Sequence, residues 1–297
     1  MMSKLGKALD RARQERGGFS LGHGTVVHEI DPQKQKNVYQ SNTGYKCAGE
    51  RSMPGFVAEP MTEMDAKPDY TCTSVLDPGR DFPMSQRLVN IIDKAEVRDS
   101  YDYLCTQILQ RCRKNKWNSI MISSARAGEG KTLTSINLAM TIAREVGRTA
   151  LLVGANIRNS KICEYMGINE EMKGLTDYLM NGVEVGDLLF SPGMDKMVVL
   201  PTGKKVSATS NILGSPRMKF LVDELKTRYP DRYVIFDAPH VLDMPDTLVF
   251  SSYVDAVLLV VQAGRTQRED VVRSVQVLKD RGVDILGMVL NKADGIG

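Results

Sequence analysis

The chain has 297 residues, room for one large α/β domain with appendages, and its 39 basic and 36 acidic residues leave a net charge of +3. A balance this even argues against nucleic acid as a partner, and no apolar run reaches the roughly 18 residues of a membrane span. The polar N-terminus does not read as a signal peptide, and the five cysteines (Cys47, Cys72, Cys105, Cys112, Cys163) contain no Cys-x-x-Cys pair, which fits reduced thiols in a cytoplasmic protein better than disulfides or a metal site.

Residues 1–18 predict a short basic amphipathic helix over Ser3 to Arg16. Leu5, Ala8, Leu9 and Ala12 share one face and Gly17-Gly18 is the stop. That face is narrow, which suits docking to a surface better than burial in a membrane. Residues 19–85 lack periodicity, are rich in Gly, Pro, Ser, Asn, Lys and Asp, and read as a flexible linker carrying Tyr39, Tyr45 and Tyr70. Residues 86–297 have the pattern of a globular domain. A helix of roughly Asp93 to Arg113 leads into the apolar run Asn118 to Ser123, readable as a buried strand.

Next comes Ala125-Arg126-Ala127-Gly128-Glu129-Gly130-Lys131-Thr132, which fits a phosphate-binding loop. Leu133, Ile136, Ala139, Met140 and Ala143 then recur at helical spacing, so the loop joins a strand to a helix. Gly128 and Gly130 let the backbone curl until successive N–H groups point at one phosphate. The helix N-terminus adds partial positive charge. Lys131 can reach the outer phosphates and the Thr132 hydroxyl can bind Mg²⁺. The expected nucleotide contacts are Arg126, Ala127, Gly128, Glu129, Gly130, Lys131, Thr132 and Leu133.

Apolar runs follow at Ala150–Val153, Met197–Leu200, Tyr233–Phe236, Ala256–Val261 and Ile285–Leu290. Between them, Ser215-Pro216 opens a helix with Met218, Leu221, Val222 and Leu225 on its buried face. Thr266-Gln267-Arg268-Glu269 reads as a capping box, followed by Val271, Val272, Val275 and Leu278 before Gly282 ends the helix. Strands alternating with helices predict a parallel β-sheet covered by helices on both faces, an α/β P-loop NTPase fold with a flexible N-terminal extension. Ligands of such sheets sit at the C-terminal strand ends. Asp237 closes the Tyr233–Phe236 strand there, where Mg²⁺ needs its second, water-bridged contact.

At these residues the chain resembles the bacterial tyrosine kinases of capsule and exopolysaccharide loci, P-loop proteins of the partition and division-site ATPase superfamily. The branch it most resembles is the tyrosine autokinases of exosortase-associated exopolysaccharide loci. The resemblance covers roughly residues 86–297. It rests on Ser124 to Ala139, Gly174 to Leu179, Leu200 to Gly203, Arg228 to Pro239 and Gln262 to Thr266, and the Ser3 to Arg13 helix is also similar. It implies ATP and Mg²⁺ as cofactors, with Lys131, Asp237 and Asp246 catalytic, Thr132 and Asp237 at the metal, and Asn291 beside the nucleotide. It also implies a site of action at the inner membrane, reached by docking on the cytoplasmic part of a membrane polysaccharide chain-length or export protein.

Three departures qualify that picture. The family's second acidic motif, Asp-x-Asp-x-Arg, reads Gly154-Ala155-Asn156-Ile157-Arg158 here, and only the arginine survives. Asn156 is no base near neutral pH, and a tyrosine hydroxyl has a pKa of about 10. Losing the base is expected to slow transfer by roughly 10²–10⁴-fold. Asp243 or Asp246 could substitute, His240 replaces a proline nearby, and restoring Gly154→Asp and Asn156→Asp is expected to raise activity. The ring-forming helix has Asp99, Asp102 and Cys105 in place of Glu-x-x-Arg-x-x-Arg, so a homo-oligomer is implied but its usual ring contacts are not. The C-terminal tyrosine cluster is absent.

Two other readings stay open in the sequence. Arg126 stands where partition-type ATPases carry a lysine that reaches a neighbouring subunit's phosphates. Asn291-Lys292-Ala293-Asp294 matches a guanine-reading pattern, which would make the protein a GTP-binding switch.

Overall fold

The computed structural model describes residues 26–28, 74–75, 88–89, 94–206, 212–228 and 231–293. The Ser3–Arg16 helix, most of the 19–85 segment with its three tyrosines, Cys47, Cys72 and Asp294 lie outside these residues. In chain order the elements are β1 (Val26–His28), β2 (Ser74–Val75), α1 (Ala95–Asn115), β3 (Ser119–Ser124), α2 (Lys131–Arg144) and β4 (Thr149–Gly154). Then come α3 (Ile162–Met166), α4 (Leu175–Asn181), β5 (Phe190–Ser191), β6 (Met197–Leu200), α5 (Pro216–Thr227) and β7 (Arg232–Asp237). The last are α6 (Pro245–Phe250), β8 (Ala256–Gln262), α7 (Arg268–Lys279) and β9 (Ile285–Asn291).

The sheet order is β1-β9-β8-β3-β7-β4-β6-β5-β2. The six strands from β9 to β6 pair in parallel, as continuous apolar runs require. The edges differ. β1 runs antiparallel to β9, and β5 antiparallel to β6 with β2 parallel beside it. β1 and β2 fall inside the segment read as linker. Strands of two or three residues pair through backbone groups alone and leave no side-chain periodicity to read.

Successive side chains of a strand point to opposite faces, and this divides the core in two. Ile120, Ile122, Leu152, Ile235 and Leu258 pack under α1 and α2, with Leu104, Ile108, Ile136 and Met140. Met121, Leu151, Val153, Val234, Phe236 and Leu259 pack on the other face, with Met218, Leu221, Val222 and Leu225 of α5. Each fully buried aliphatic chain is worth roughly 1.5–3 kcal/mol. Helix α2 is buried on nearly every side, Thr134 to Ala143 without a break, because α1 lies over it. Cys105 and Cys112 are free thiols in this layer, each pushed by burial up to about 12, and therefore unreactive as nucleophiles.

The two helix caps fare differently. Ser215 accepts the Met218 N–H at 3.2 Å with Pro216 in the first turn, and the four predicted α5 residues are its buried ones. Helix α7 starts one residue later than a Thr266 cap requires. Gln267 is its N-cap, with no side-chain cap bond, because the Thr266 hydroxyl is spent on Glu129. Val272 points outward, 57% exposed, and Ser274 takes its expected place in the buried stripe with Leu278. At the N-terminal ends of the central strands β3 and β8, the Asp255 carboxylate accepts the Asn118 and Ser119 N–H groups at 2.9 Å and pairs with Lys226. Burial would raise its pKa, but these donors hold it below the ordinary value. Among the described residues no helix is long and apolar enough to cross a membrane.

Candidate nucleotide site

β3, β7 and β4 end side by side, with Ile122 and Gly154 each in register with Asp237. The loop from Ala125 to Gly130 leaves β3 at this edge and turns into α2. Gly128 and Gly130 have φ of 84° and 100°, left-handed values that glycine adopts without strain. The outward carbonyl groups of the loop are held from behind. Ser124 Oγ donates to the Arg126 carbonyl at 2.6 Å, Lys292 Nζ to that of Gly128 at 2.9 Å, and Asn291 Nδ2 to that of Glu129 at 2.9 Å. Peptide planes fixed this way turn their N–H groups toward the concave side, where the first N–H groups of α2 also lack intrahelical acceptors.

Inside the loop sits a buried polar pair. Asp237 is 0% exposed, and its carboxylate accepts from Thr132 Oγ1 at 2.8 Å and from Ser135 Oγ at 3.5 Å. Burial raises its pKa, and the Lys131 charge and the two hydroxyls oppose the rise. The residues fit a Mg–nucleotide. A cradle of N–H groups and Lys131 suits phosphates, and Thr132 with a water-bridged Asp237 would hold the ion. Among the described residues no group of three or more His, Cys, Asp or Glu side chains could hold a metal alone. The ion's shell would therefore be completed by phosphate oxygens and water, the usual Mg²⁺ arrangement.

The other predicted residues take distinct places. Ala127 and Gly128 are exposed at the loop tip. Leu133 packs its side chain on the α1–α2 core and leaves only its backbone for a ligand. Glu129, 2% exposed, turns its carboxylate away from the cradle, to the Arg126 N–H at 3.0 Å and the Thr266 hydroxyl. Arg126 forms a two-pronged pair with Asp270 at 3.0 and 2.8 Å and a second pair with Asp243. It is thus engaged within its own chain rather than extended toward a neighbour's phosphates. Asn291 and Lys292 support the loop's carbonyl groups, a task the guanine-reading pattern does not describe.

The degenerate motif lies one strand over. The Asn156 amide, 6% exposed, donates to the Asn159 carbonyl within its own turn at 2.9 Å. Arg158 reaches Asp246, itself 2% exposed, at 3.4 Å. Gly154 has no room for a side chain. Thr202 Oγ1 donates to its carbonyl at 2.9 Å, and a Cβ at Gly154 would collide with that hydroxyl and lie 2.8 Å from the Thr202 backbone nitrogen. The expectation that Gly154→Asp restores a carboxylate is corrected here: the turn after β6 fills that space. Of the ring-motif positions, Asp99 is exposed, Asp102 pairs with Arg144, and Cys105 faces the core.

Sequence reasoning missed Ser135 and the roles of Thr202, Thr266 and Lys292 at the site. Only Ser135 had a local signal, one helical turn after Thr132 and on the same face.

No protein-family profile matches the chain. Among curated proteins it is 31% identical over 211 residues to the tyrosine-protein kinase CpsD of Streptococcus pneumoniae serotype 4, covering 71% of this chain and 90% of that one. Among solved structures it is similar to the kinase domain of the Escherichia coli tyrosine kinase ETK, with 27% identity and a TM-score of 0.63 over 68% of this chain and 78% of the other. The chimerical protein CapA2B2 shares the fold, with 24% identity and a TM-score of 0.65 over 72% of this chain and 95% of that one.

Proposed function

The chain belongs to the bacterial tyrosine-protein kinase family, and we propose that it is an ATP- and Mg²⁺-dependent, tyrosine-kinase-like regulator of exopolysaccharide or capsule assembly in which nucleotide binding is better kept than phosphoryl transfer. The observation that carries this reading is the contrast between two neighbouring strand ends. At β7 the buried Asp237 is joined to Thr132. At β4 the position beside it is a glycine sealed by Thr202. Lys131 and the N–H groups of the loop would cradle the phosphates. Thr132 and Asp237 would hold Mg²⁺, which neutralises charge on the transferring group. Asp246, fixed near Arg158, lies in the first turn of α6.

The protein would act in the cytoplasm, at the inner membrane, on the cytoplasmic part of a chain-length or export protein. Nucleotide would order the loops after Ser124, Gly154 and Asp237, and the partner would read that face. A ligand shifts such an equilibrium only through unequal affinity for the two states, and the coupling is reciprocal. The test is recovery of membrane proteins on the immobilised chain with ATP, with ADP, without nucleotide, and with Lys131→Ala. Nucleotide-dependent recovery of one membrane partner is expected. Equal recovery in all four conditions would leave a passive scaffold, and recovery of DNA would favour a partition ATPase.

A further inference from the structure

Tyrosine transfer needs an acceptor for the phenolic proton, and the side chains near the loop can be tried in turn. Gly154 has no side chain and Asn156 is an amide closed on its own turn. The Asp246 carboxylate is 2% exposed and faces the Arg158 guanidinium. Asp243 is held by Arg126, and Glu129 is turned onto Thr266 and the Arg126 N–H. Asp237 is enclosed at 0% exposure by Thr132 and Ser135, and Asp270 is paired with Arg126. Among the described residues at these strand ends, His240 is left to accept a proton.

His240 follows β7 in a segment fastened to β3 on both sides. Ala238 N donates to the Ile122 carbonyl at 3.1 Å and Ser123 Oγ to that of Pro239 at 2.6 Å. Val241 N then donates to the Ser124 carbonyl at 2.8 Å and Leu242 N to that of Ala125 at 3.3 Å. Ala238, Pro239, Val241 and Leu242 are buried, and His240 between them is partly exposed, on a strap bonded to the start of the phosphate loop. The charges whose fields reach it are Lys131, Asp243, Arg126 and Glu129. Burial, then the Lys131 ammonium, lower its pKa below the ordinary 6.5, so the ring is neutral at physiological pH with one nitrogen free to accept.

We propose that His240 is the general base of this chain, carried on the strap bonded to the start of the phosphate loop to take the proton of an acceptor tyrosine. The proposal rests on the kinase-like reading above. As the phenol oxygen bonds to the γ-phosphorus, the bond from that phosphorus to the β,γ-bridging oxygen breaks and its electron pair leaves with ADP. The phenolic proton passes to the imidazole and then to water. In a loose transition state this transfer comes late, when the forming bond has made the oxygen acidic.

The test uses the full chain, labelled ATP and a random glutamate–tyrosine copolymer as acceptor, from pH 5 to 8. Wild type is expected to lose activity along an acidic limb centred below pH 6.5. His240→Gln is expected to cut transfer by about 10²-fold or more, abolish that limb and leave ATP affinity unchanged by calorimetry. Added imidazole is expected to recover part of the rate in His240→Ala. In Asp243→Asn the limb moves to lower pH, because Asp243 raises the His240 pKa. A His240→Gln enzyme with wild-type rate and limb overturns the proposal, as does one that loses ATP affinity in step with rate. Wild type that binds ATP but transfers nothing to tyrosine overturns it too, and leaves the nucleotide-responsive regulator standing. Wild type that binds no ATP removes both.

Discussion

The Asn291 amide donates to the carbonyl oxygen of Glu129 at 2.9 Å, across 162 positions of sequence, and fills the space where a side chain on Gly130 would stand. The end of β9 thus holds the phosphate loop open from behind. Asn291→Ala is expected to weaken ATP binding about tenfold, since a lost hydrogen bond of roughly 1–1.5 kcal/mol converts to that ratio. Gly130→Ala is expected to abolish binding, because its Cβ meets the amide and its φ of 100° is strained for any other residue. Titration calorimetry with ATP and with GTP checks both. An unchanged ATP affinity in Asn291→Ala would show that the amide is dispensable, and a preference for GTP in wild type would return Asn291 to base reading.

Asp237 illustrates a cost accepted for function. Its folded-state pKa is raised, so its contribution to stability is fully present below the unfolded value of 3.8 and is lost as pH rises through the folded value. At neutral pH the buried charge therefore destabilises the nucleotide-free protein. Asp237→Asn is expected to raise the melting temperature at pH 7 by about 2 °C or more, roughly the effect of 1 kcal/mol in a domain this size. The gain is expected to shrink as pH falls through the folded value and to be gone below 3.8, while Mg²⁺-dependent tightening of ATP disappears. Melting curves from pH 3 to 8 test it, and a pH-independent difference would show that burial of the charge is not the cause.

Gly154 forbids the obvious repair. Gly154→Asp is expected to cost about 1–3 kcal/mol, the usual penalty of overpacking, and to leave tyrosine transfer no faster. The Thr202 backbone nitrogen is in the way as well as its hydroxyl, so Thr202→Gly would relieve the clash only in part. Denaturant unfolding of the single and double variants, with transfer assays beside it, measures both effects. A Gly154→Asp protein of wild-type stability and raised activity would refute the packing argument.

The sequence by itself determined what depends on neighbours in the chain. The six parallel strands show as short apolar runs, and α5 shows its cap at Ser215 and its inward residues at helical spacing. Gly128, Gly130, Lys131 and Thr132 bend the backbone and supply the first helical turn within a few residues, and Asp237 simply ends a strand. These are backbone geometry and periodicity, which local residue types set. What only the tertiary structure decided is which distant side chain meets which. Strand order places β9 behind the loop, so Asn291 and Lys292 hold its carbonyl groups. It places Thr266 against Glu129, which removes the expected cap of α7. It sets the turn after β6 against β4, so Thr202 closes the site of the lost acid. Such hydroxyls, amides and ammonium groups can satisfy many partners, and the partner is chosen by the packing of strands far apart in sequence, which no local pattern encodes.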